Sequence, residues 1–302
     1  MSKPQGADAR PLDYQIVDVF TETALLGNGL AVVFDTEGLA TERMQAIARE
    51  FNLSETTFIQ RRDIGTEKRE GVRVRIFTTQ EELPFAGHPT LGTASVLKLS
   101  APETFIGDTI TLALNVGPVP VRFKSGTLFG EMTQRDPEFG DELDPGTVAS
   151  LAGLNVDDLY SAAPPQVEST GTAFAIVALR SHEALSRLRV EQEGATKYLR
   201  EHGGRWFYLL GPTEASDPAW RARMQFYGGE DPATGSAAGC AISYLVRHGI
   251  VEPGRQIHVQ QGVEIGRSSD LFLTADLISG KVRNVRVAGS TVRVAKGQLF
   301  LP

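Results

Sequence analysis

The sequence predicts an α+β protein of two similar halves, each a curved sheet, nearly a barrel, wrapped around one buried helix. Three observations predict it. Strand-type segments, alternating or β-branched, dominate both halves of the 302 residues. Two helical segments, about 90–99 and 235–248, are apolar on nearly all faces, and a helix of that kind is buried. Aligning "AGHPTLGTASVLKL" from Ala86 with "ATGSAAGCAISYLV" from Ala233 pairs Gly92 with Gly239 and Ala94 with Ala241, at an offset of 147, close to half the chain. A helix buried that way in a strand-rich half needs sheet on several sides of it.

Residues 1–11 lack periodicity and read as a loose tail. "YQIVDVF" (14–20) alternates like a half-buried strand, and "GLAVVFD" (29–35) is a β-branched run closed by a turn. Thr41 is placed to cap a helix reaching Phe51, with Met44, Ile47, Ala48 and Phe51 on one face. Strands are expected at 55–60, 72–78, 109–114, 118–124 and 127–133, interrupted by the first buried helix. The second half repeats the plan, with short helices near 145–153, 181–189 and 192–202. Its strands are expected at 173–179, 205–210, 220–227, 256–260, 270–276 and 281–287, and its buried helix ends at Gly249.

A hydrophobic fraction of 41% with 22% charged residues is that of a soluble globular chain. The net charge of −7 offers no footprint for a polyanion, so neither nucleic acid nor an anionic membrane is an expected partner. The single Cys240 excludes an intrachain disulfide and sits in the apolar helix as a small core residue. The opening "MSKPQGADARP" has no apolar signal core, and no apolar run approaches the roughly 20 residues of a membrane span. A cytoplasmic protein is expected. "GNGLAV" (27–32) has two glycines at dinucleotide-fingerprint spacing but lacks the third and leads into a strand, so it reads as a tight turn. The histidines show no metal-ligand spacing, and no phosphate loop, nucleophile elbow or flavin signature occurs; neither metal nor cofactor is expected.

The chemistry must then come from carboxylates, imidazole and backbone. "GHPT" (87–90) and "EDPATGSAAG" (230–239) feed the N-termini of the two buried helices, where four N–H groups lack intrahelical partners and the dipole adds partial positive charge. If both ends point to the seam between the halves, the seam is built for an anion. Gly87, Thr234, Gly235 and Ser236 are small enough to let a carboxylate approach the amides, and Pro89 suits the first helical position. From local sequence alone, ordinary capping by Asp231, Thr234 and Ser236 is the favoured explanation of the same residues. In "NLSETTFI" (52–59), Glu55 beside Ser54 precedes the apolar Phe58 and Ile59. It is either an exposed strand-start glutamate or a partly desolvated carboxyl whose raised pKa suits proton transfer.

Taken together, "GNGLAVVFD", "MQAIAREFNLSETTFI", "VRIFTTQEELPFAGHPTLGTASVL", "VGPVPV", "EDPATGSAAGCAISYLVRHG" and "QGVEIGRSSDL" resemble the successive signature blocks of the phenazine-biosynthesis isomerase (PhzF-like) family, collinearly from about residue 14 to the C-terminus. The resemblance implies a diaminopimelate-epimerase-like fold of two pseudo-symmetric domains with the site between them. The expected division is residues 1–126, completed by 288–302, and residues 127–287. The related epimerases carry facing cysteines at these two turns, whereas here the turns read "FAGHP" and "DPATG". Two-thiol stereoinversion is therefore not expected, and an acid/base route through Glu55 replaces it. The family's catalytic glutamate, histidine and aspartate match Glu55, His88 and Asp231, and Ser54, Gly87, Thr234, Gly235 and Ser236 are the expected substrate-binding positions. Gly29 departs from the family's "GNP" and lies away from those motifs.

The expectation is a cofactor-independent isomerase in secondary-metabolite biosynthesis. Glu55 would carry a proton in a double-bond shift or tautomerisation of a small unsaturated amino or hydroxy carboxylic acid. Two rivals stand beside it: a racemase or epimerase of an amino-acid-like substrate, and a non-catalytic homologue that binds small carboxylates. A homodimer is implied by the resemblance alone.

Overall fold

The computed structural model describes residues 11–100, 107–217, 219–226 and 229–301. The expected tail lies outside them except for Pro11. The first half runs β1 (Leu12–Val19), β2 (Asn28–Val33), α1 (Thr41–Phe51), β3 (Glu55–Gln60), α2 (Ile64–Glu70), β4 (Val72–Thr78), β5 (Glu82–Leu83), α3 (Gly87–Ser100), β6 (Thr109–Leu114), β7 (Gly117–Phe123) and β8 (Gly130–Thr133). The second runs β9 (Glu138–Glu142), α4 (Pro145–Ala152), β10 (Gln166–Ser169), β11 (Ala173–Ala178), α5 (Gln192–Glu201), β12 (Trp206–Pro212), β13 (Trp220–Arg223), β14 (Gln225–Phe226), β15 (Gly229–Glu230), α6 (Gly235–Arg247), β16 (Ile257–Gln261), β17 (Ser269–Ile278), β18 (Lys281–Gly289) and β19 (Thr291–Leu299).

Pairing runs without a break from β19 through β1, β2, β3, β4, β6 and β7 to β8. It crosses from β8 to β18 and continues through β17, β16, β13, β12, β11 and β10 to β9. The first stretch curls around α3, which packs on β1, β2, β3, β6, β7, β8 and β19; α6 packs on β10, β11, β17 and β18 in the second. Every residue of α3 from Gly87 to Leu97 is buried, as is every residue of α6 from Gly235 to Val246. Each fully buried Leu, Ile or Val there contributes about 1.5–3 kcal/mol relative to exposure, so apolar packing outweighs the poor helix propensity of the Gly, Thr and Ser among them. Amphipathic α1 covers the outer face of β3 and β4, while α4 and α5 cover the outer face of β10 to β12.

Each half also reaches over the other's helix. The β1–β2 loop places the Phe20 ring where a Cβ on Gly235 would meet it at 2.9 Å, and the β10–β11 turn places Gly171 against Phe85 while Thr172 Oγ1 donates to the Phe85 carbonyl at 3.0 Å. The two-fold likeness read from Gly92 and Gly239 thus extends to the covering turns.

Several expectations are corrected. α3 begins at Gly87, so Pro89 is its third residue; a proline is tolerated there because that N–H has no intrahelical partner. Thr41 is the first helical residue and caps nothing, since its hydroxyl accepts from Arg75 at 3.0 Å. The helix expected at 181–189 is a 3-10 stretch over His182–Arg187. The strand expected at 220–227 breaks after Arg223, where Met224 intervenes before the short β14; Tyr227 lies outside the described residues. The strand expected from 127 starts at Gly130. α2, β5, β9, β10, β15 and β19 were not expected.

Candidate active site

Glu55 opens β3, held between β2 and β4 in the registers Leu30 to Glu55 and Glu55 to Thr78. The chain reaches it through Asn52, whose left-handed φ of 51° ends α1 and turns the backbone back toward the sheet. Alternation along β3 puts Glu55 and Thr57 on the face toward α3. There Thr57 Oγ1 lies 2.8 Å from Thr93 Oγ1, and Glu55 Oε2 lies 3.5 Å from His88 Nε2, in the first turn of α3. Glu55 is 8% exposed, His88 2% and Asp231 4%, so the exposed reading of Glu55 is excluded.

Asp231 follows β15 and is gripped from both halves. Oδ1 accepts from Asn28 Nδ2 at 2.7 Å and Ser54 Oγ at 3.2 Å, and Oδ2 accepts from Thr234 Oγ1 at 2.6 Å. Gln261 holds the turn from behind: Nε2 donates to the Asp231 carbonyl at 2.8 Å, and Oε1 accepts from the Thr234 N–H at 3.1 Å and from Tyr208 OH at 3.2 Å. Capping does not explain these residues. Thr234 makes no side-chain cap on α6, because its hydroxyl is committed to Asp231.

The two helix mouths meet head to head. A Cβ on Gly87 would lie 2.4 Å from the Gly235 carbonyl carbon and from the Ser236 nitrogen, so only glycine allows this approach. Gly87, Thr234, Gly235 and Ser236 are therefore brought together with Glu55, His88 and Asp231, and Ser54 joins them through Asp231. Gln134 Nε2 donates to the Gly235 carbonyl at 2.8 Å and so fixes the α6 mouth from the second half.

Charge is distributed unevenly among these groups. Burial first, and the Asp231 charge second, hold Glu55 well above the usual carboxylate range. Burial also pushes Asp231 up, to about 6, while its hydrogen bonds from Thr234, Asn28 and Ser54 act in the opposite direction and Glu230 adds upward. Asp231 thus has donors for its charged form; Glu55 Oε2 has no hydrogen-bond partner. Of the two, Asp231 ionises first and Glu55 keeps its proton longer. Burial pushes His88 down to about 3, partly offset by a hydrogen bond to the Gly29 backbone, so its contact with Glu55 involves a neutral ring and is not an ion pair.

Asn28 and Gln261 escaped the reading of the sequence. Both lie in the blocks that carry the resemblance, "GNGLAVVFD" and "QGVEIGRSSDL", which was the only available signal.

The model of the PhzC-PhzF family, described as phenazine biosynthesis-like protein, matches residues 17–297. The trans-2,3-dihydro-3-hydroxyanthranilate isomerase of Pseudomonas aeruginosa is 35% identical over 294 residues, covering 95% of this chain and 99% of that protein. An uncharacterized isomerase of Mesorhizobium japonicum is 35% identical over 303 residues, covering 96% and 99%. Among solved structures, a predicted epimerase of Pseudomonas aeruginosa superposes with a TM-score of 0.81 at 35% identity, covering 96% of this chain and all of that one. A hydroxyproline epimerase of Agrobacterium vitis, at 12% identity and a TM-score of 0.64 over 96% and 92% of the two chains, shares the fold alone.

Proposed function

This chain belongs to the phenazine biosynthesis-like (PhzC-PhzF) family and is an isomerase, and from that premise we propose that it moves a proton between two carbons of a small unsaturated amino or hydroxy carboxylic acid, with Glu55 as the carrier. The substrate class is that of the relatives named trans-2,3-dihydro-3-hydroxyanthranilate isomerase. The observation that carries the proposal is the buried Glu55 carboxyl, one oxygen free of hydrogen bonds, beside the joined mouths of α3 and α6.

Ionised Glu55 takes a proton from a carbon activated by adjacent unsaturation, and the resulting acid returns it to another carbon of the conjugated system. A raised pKa makes the carboxylate a stronger base than it is in water. The first-turn amides of α3 and α6 bind the substrate carboxylate and stabilise charge that delocalises toward it. Asp231 and His88 hold the amino or hydroxy group. His88 Nε2 touches Glu55 Oε2, so the two lie on one side of the site and do not form the opposed pair that stereoinversion at one carbon requires.

The test is turnover of the dihydro-hydroxyanthranilate and related acids in deuterated solvent. Isomerised product is expected with the wild type. Glu55→Gln should lose about 10²- to 10⁴-fold in kcat with little change in binding. Retention of most of the turnover by that variant removes Glu55 from the mechanism, and racemisation without movement of a double bond transfers the protein to the rival reading.

A further inference from the structure

The likeness of the two halves can be followed residue by residue into the site. Asn28, the first residue of β2, donates to the Ala233 carbonyl, two residues before α6 begins. Thr172, just ahead of β11, donates to the Phe85 carbonyl, two residues before α3 begins. Asn28 and Thr172 are therefore equivalent, and so, two residues on, are Leu30 and Phe174. Each pairs in parallel with the strand that follows its half's outer helix: Leu30 with Glu55 on β3, Phe174 with Trp206 on β12. Trp206 thus stands in the second half where Glu55 stands in the first. Their neighbours agree. Ser54, before Glu55, reaches Asp231 in the other half, and Arg205, before Trp206, forms an ion pair with Glu81 in the other half. Thr78 lies across the ladder from Glu55, and the Phe226 ring lies 5.8 Å from the Trp206 ring, edge to face.

Positions related by a two-fold lie at one level along its axis and flank it. Glu55 borders the joined mouths of α3 and α6, so Trp206 borders them from the opposite side. The seam is open beside it: a cleft of about 640 Å³ is walled by Gln80 and Glu81 of the first half and by Gln192, Arg205 and Trp206 of the second. Trp206 and Phe226 are half-buried and packed on the core, and the Arg205 guanidinium lies over the indole, 4.6 Å from its centroid. The position equivalent to Glu55 therefore holds a ring that neither takes nor gives a proton, in place of a second acid or base. We propose that Trp206, backed by Phe226, is the specificity-determining wall of the site: it receives the planar, unsaturated face of the substrate while Glu55 works from the facing half. An indole is a large, rigid apolar surface that stacks on a conjugated system and gains less from a puckered, saturated ring. Arg205 holds the indole and, through Glu81, ties it to the half that carries Glu55.

The wall needs the seam to be the site of a small unsaturated acid, as read above, but not Glu55 as carrier, and binding without turnover keeps the two apart. The probes are 3-hydroxybenzoate and cis-3-hydroxycyclohexanecarboxylate, alike in charge and substituents and different in planarity, titrated calorimetrically into the full chain near pH 7. The wild type is expected to favour the planar acid on the order of 10-fold. Trp206→Phe should keep most of that preference. Trp206→Leu should lose it while binding the saturated acid within about threefold of the wild type. Equal affinities in the wild type, or no binding of either acid, overturn the inference without any variant. So does a Trp206→Leu chain that keeps the preference. An active Glu55→Gln with the preference intact would remove the carrier and leave the wall standing; an inactive one with no preference would do the reverse.

Discussion

At Glu55 the decisive quantity is which carboxyl holds a proton. Asp231 raises the pKa of Glu55 through its charge, so removing that charge should act in the opposite direction. In the wild type, kcat/KM is expected to fall as pH drops through a Glu55 pKa above the ordinary carboxylate value of about 4.3. In Asp231→Asn that acid limb should move to lower pH, and the lost grip on substrate should show in KM. A pH profile of the two proteins checks both, and an unmoved limb would disconnect the carboxyls. Glu55, His88 and Asp231 were singled out through the resemblance of the blocks around them; read locally, Glu55 could as well have been an exposed strand-start residue and Asp231 a cap. Asn28 was not, because an amide acquires this role only by meeting Asp231, 203 residues further along the chain. A single sequence does not display that meeting.

The elements that matter most are the two buried helices, and they were the most legible part of the fold. Their apolar, small-residue composition fits only a helix enclosed by sheet, and α3 and α6 are enclosed. Strands with strong alternation were found for the same reason. β19 was not assigned as a strand, although residues 288–302 were expected to complete the first domain, and it pairs with the first strand. The exposed β9 was missed because "EFGDE" offers no apolar face. Gly87→Ala tests the contact between the helices directly: its methyl would sit 2.4 Å from Gly235 backbone atoms, which cannot rotate away. The mouths must part, and kcat/KM is expected to drop on the order of 10²-fold while urea denaturation shows a cost of about 1–3 kcal/mol. Unchanged kinetics would mean that the two mouths need not touch for catalysis.

Over the whole molecule, buried carboxyls shape stability as well as chemistry. Glu168 on β10 is fully buried, neither of its oxygens has a hydrogen-bond partner, and burial holds its pKa well above the usual range, with Arg247 acting weakly in the opposite direction. A group whose folded pKa is raised binds its proton more tightly in the folded state. Its contribution is complete below the unfolded value of about 4.3 and is lost as pH rises toward the folded one. Glu168→Gln, neutral throughout, should match the wild type near pH 4.3 and become progressively the more stable of the two as pH rises. Denaturant midpoints across that range check it, and a constant difference would mean that Glu168 is not protonated in the fold. The meeting of α3 and α6 has a further consequence. Two like poles, each worth about half a positive charge, lie against each other where Gly87 packs on the backbone of Gly235 and Ser236, and they repel. On the binding mode proposed above, a substrate carboxylate held beside the two helix ends would offset that repulsion. Unsaturated carboxylic acids should therefore raise the melting temperature, by the equivalent of about 2.7 kcal/mol at a hundredfold excess over Kd. Their uncharged amides, equal in shape, should leave the melting temperature where it was.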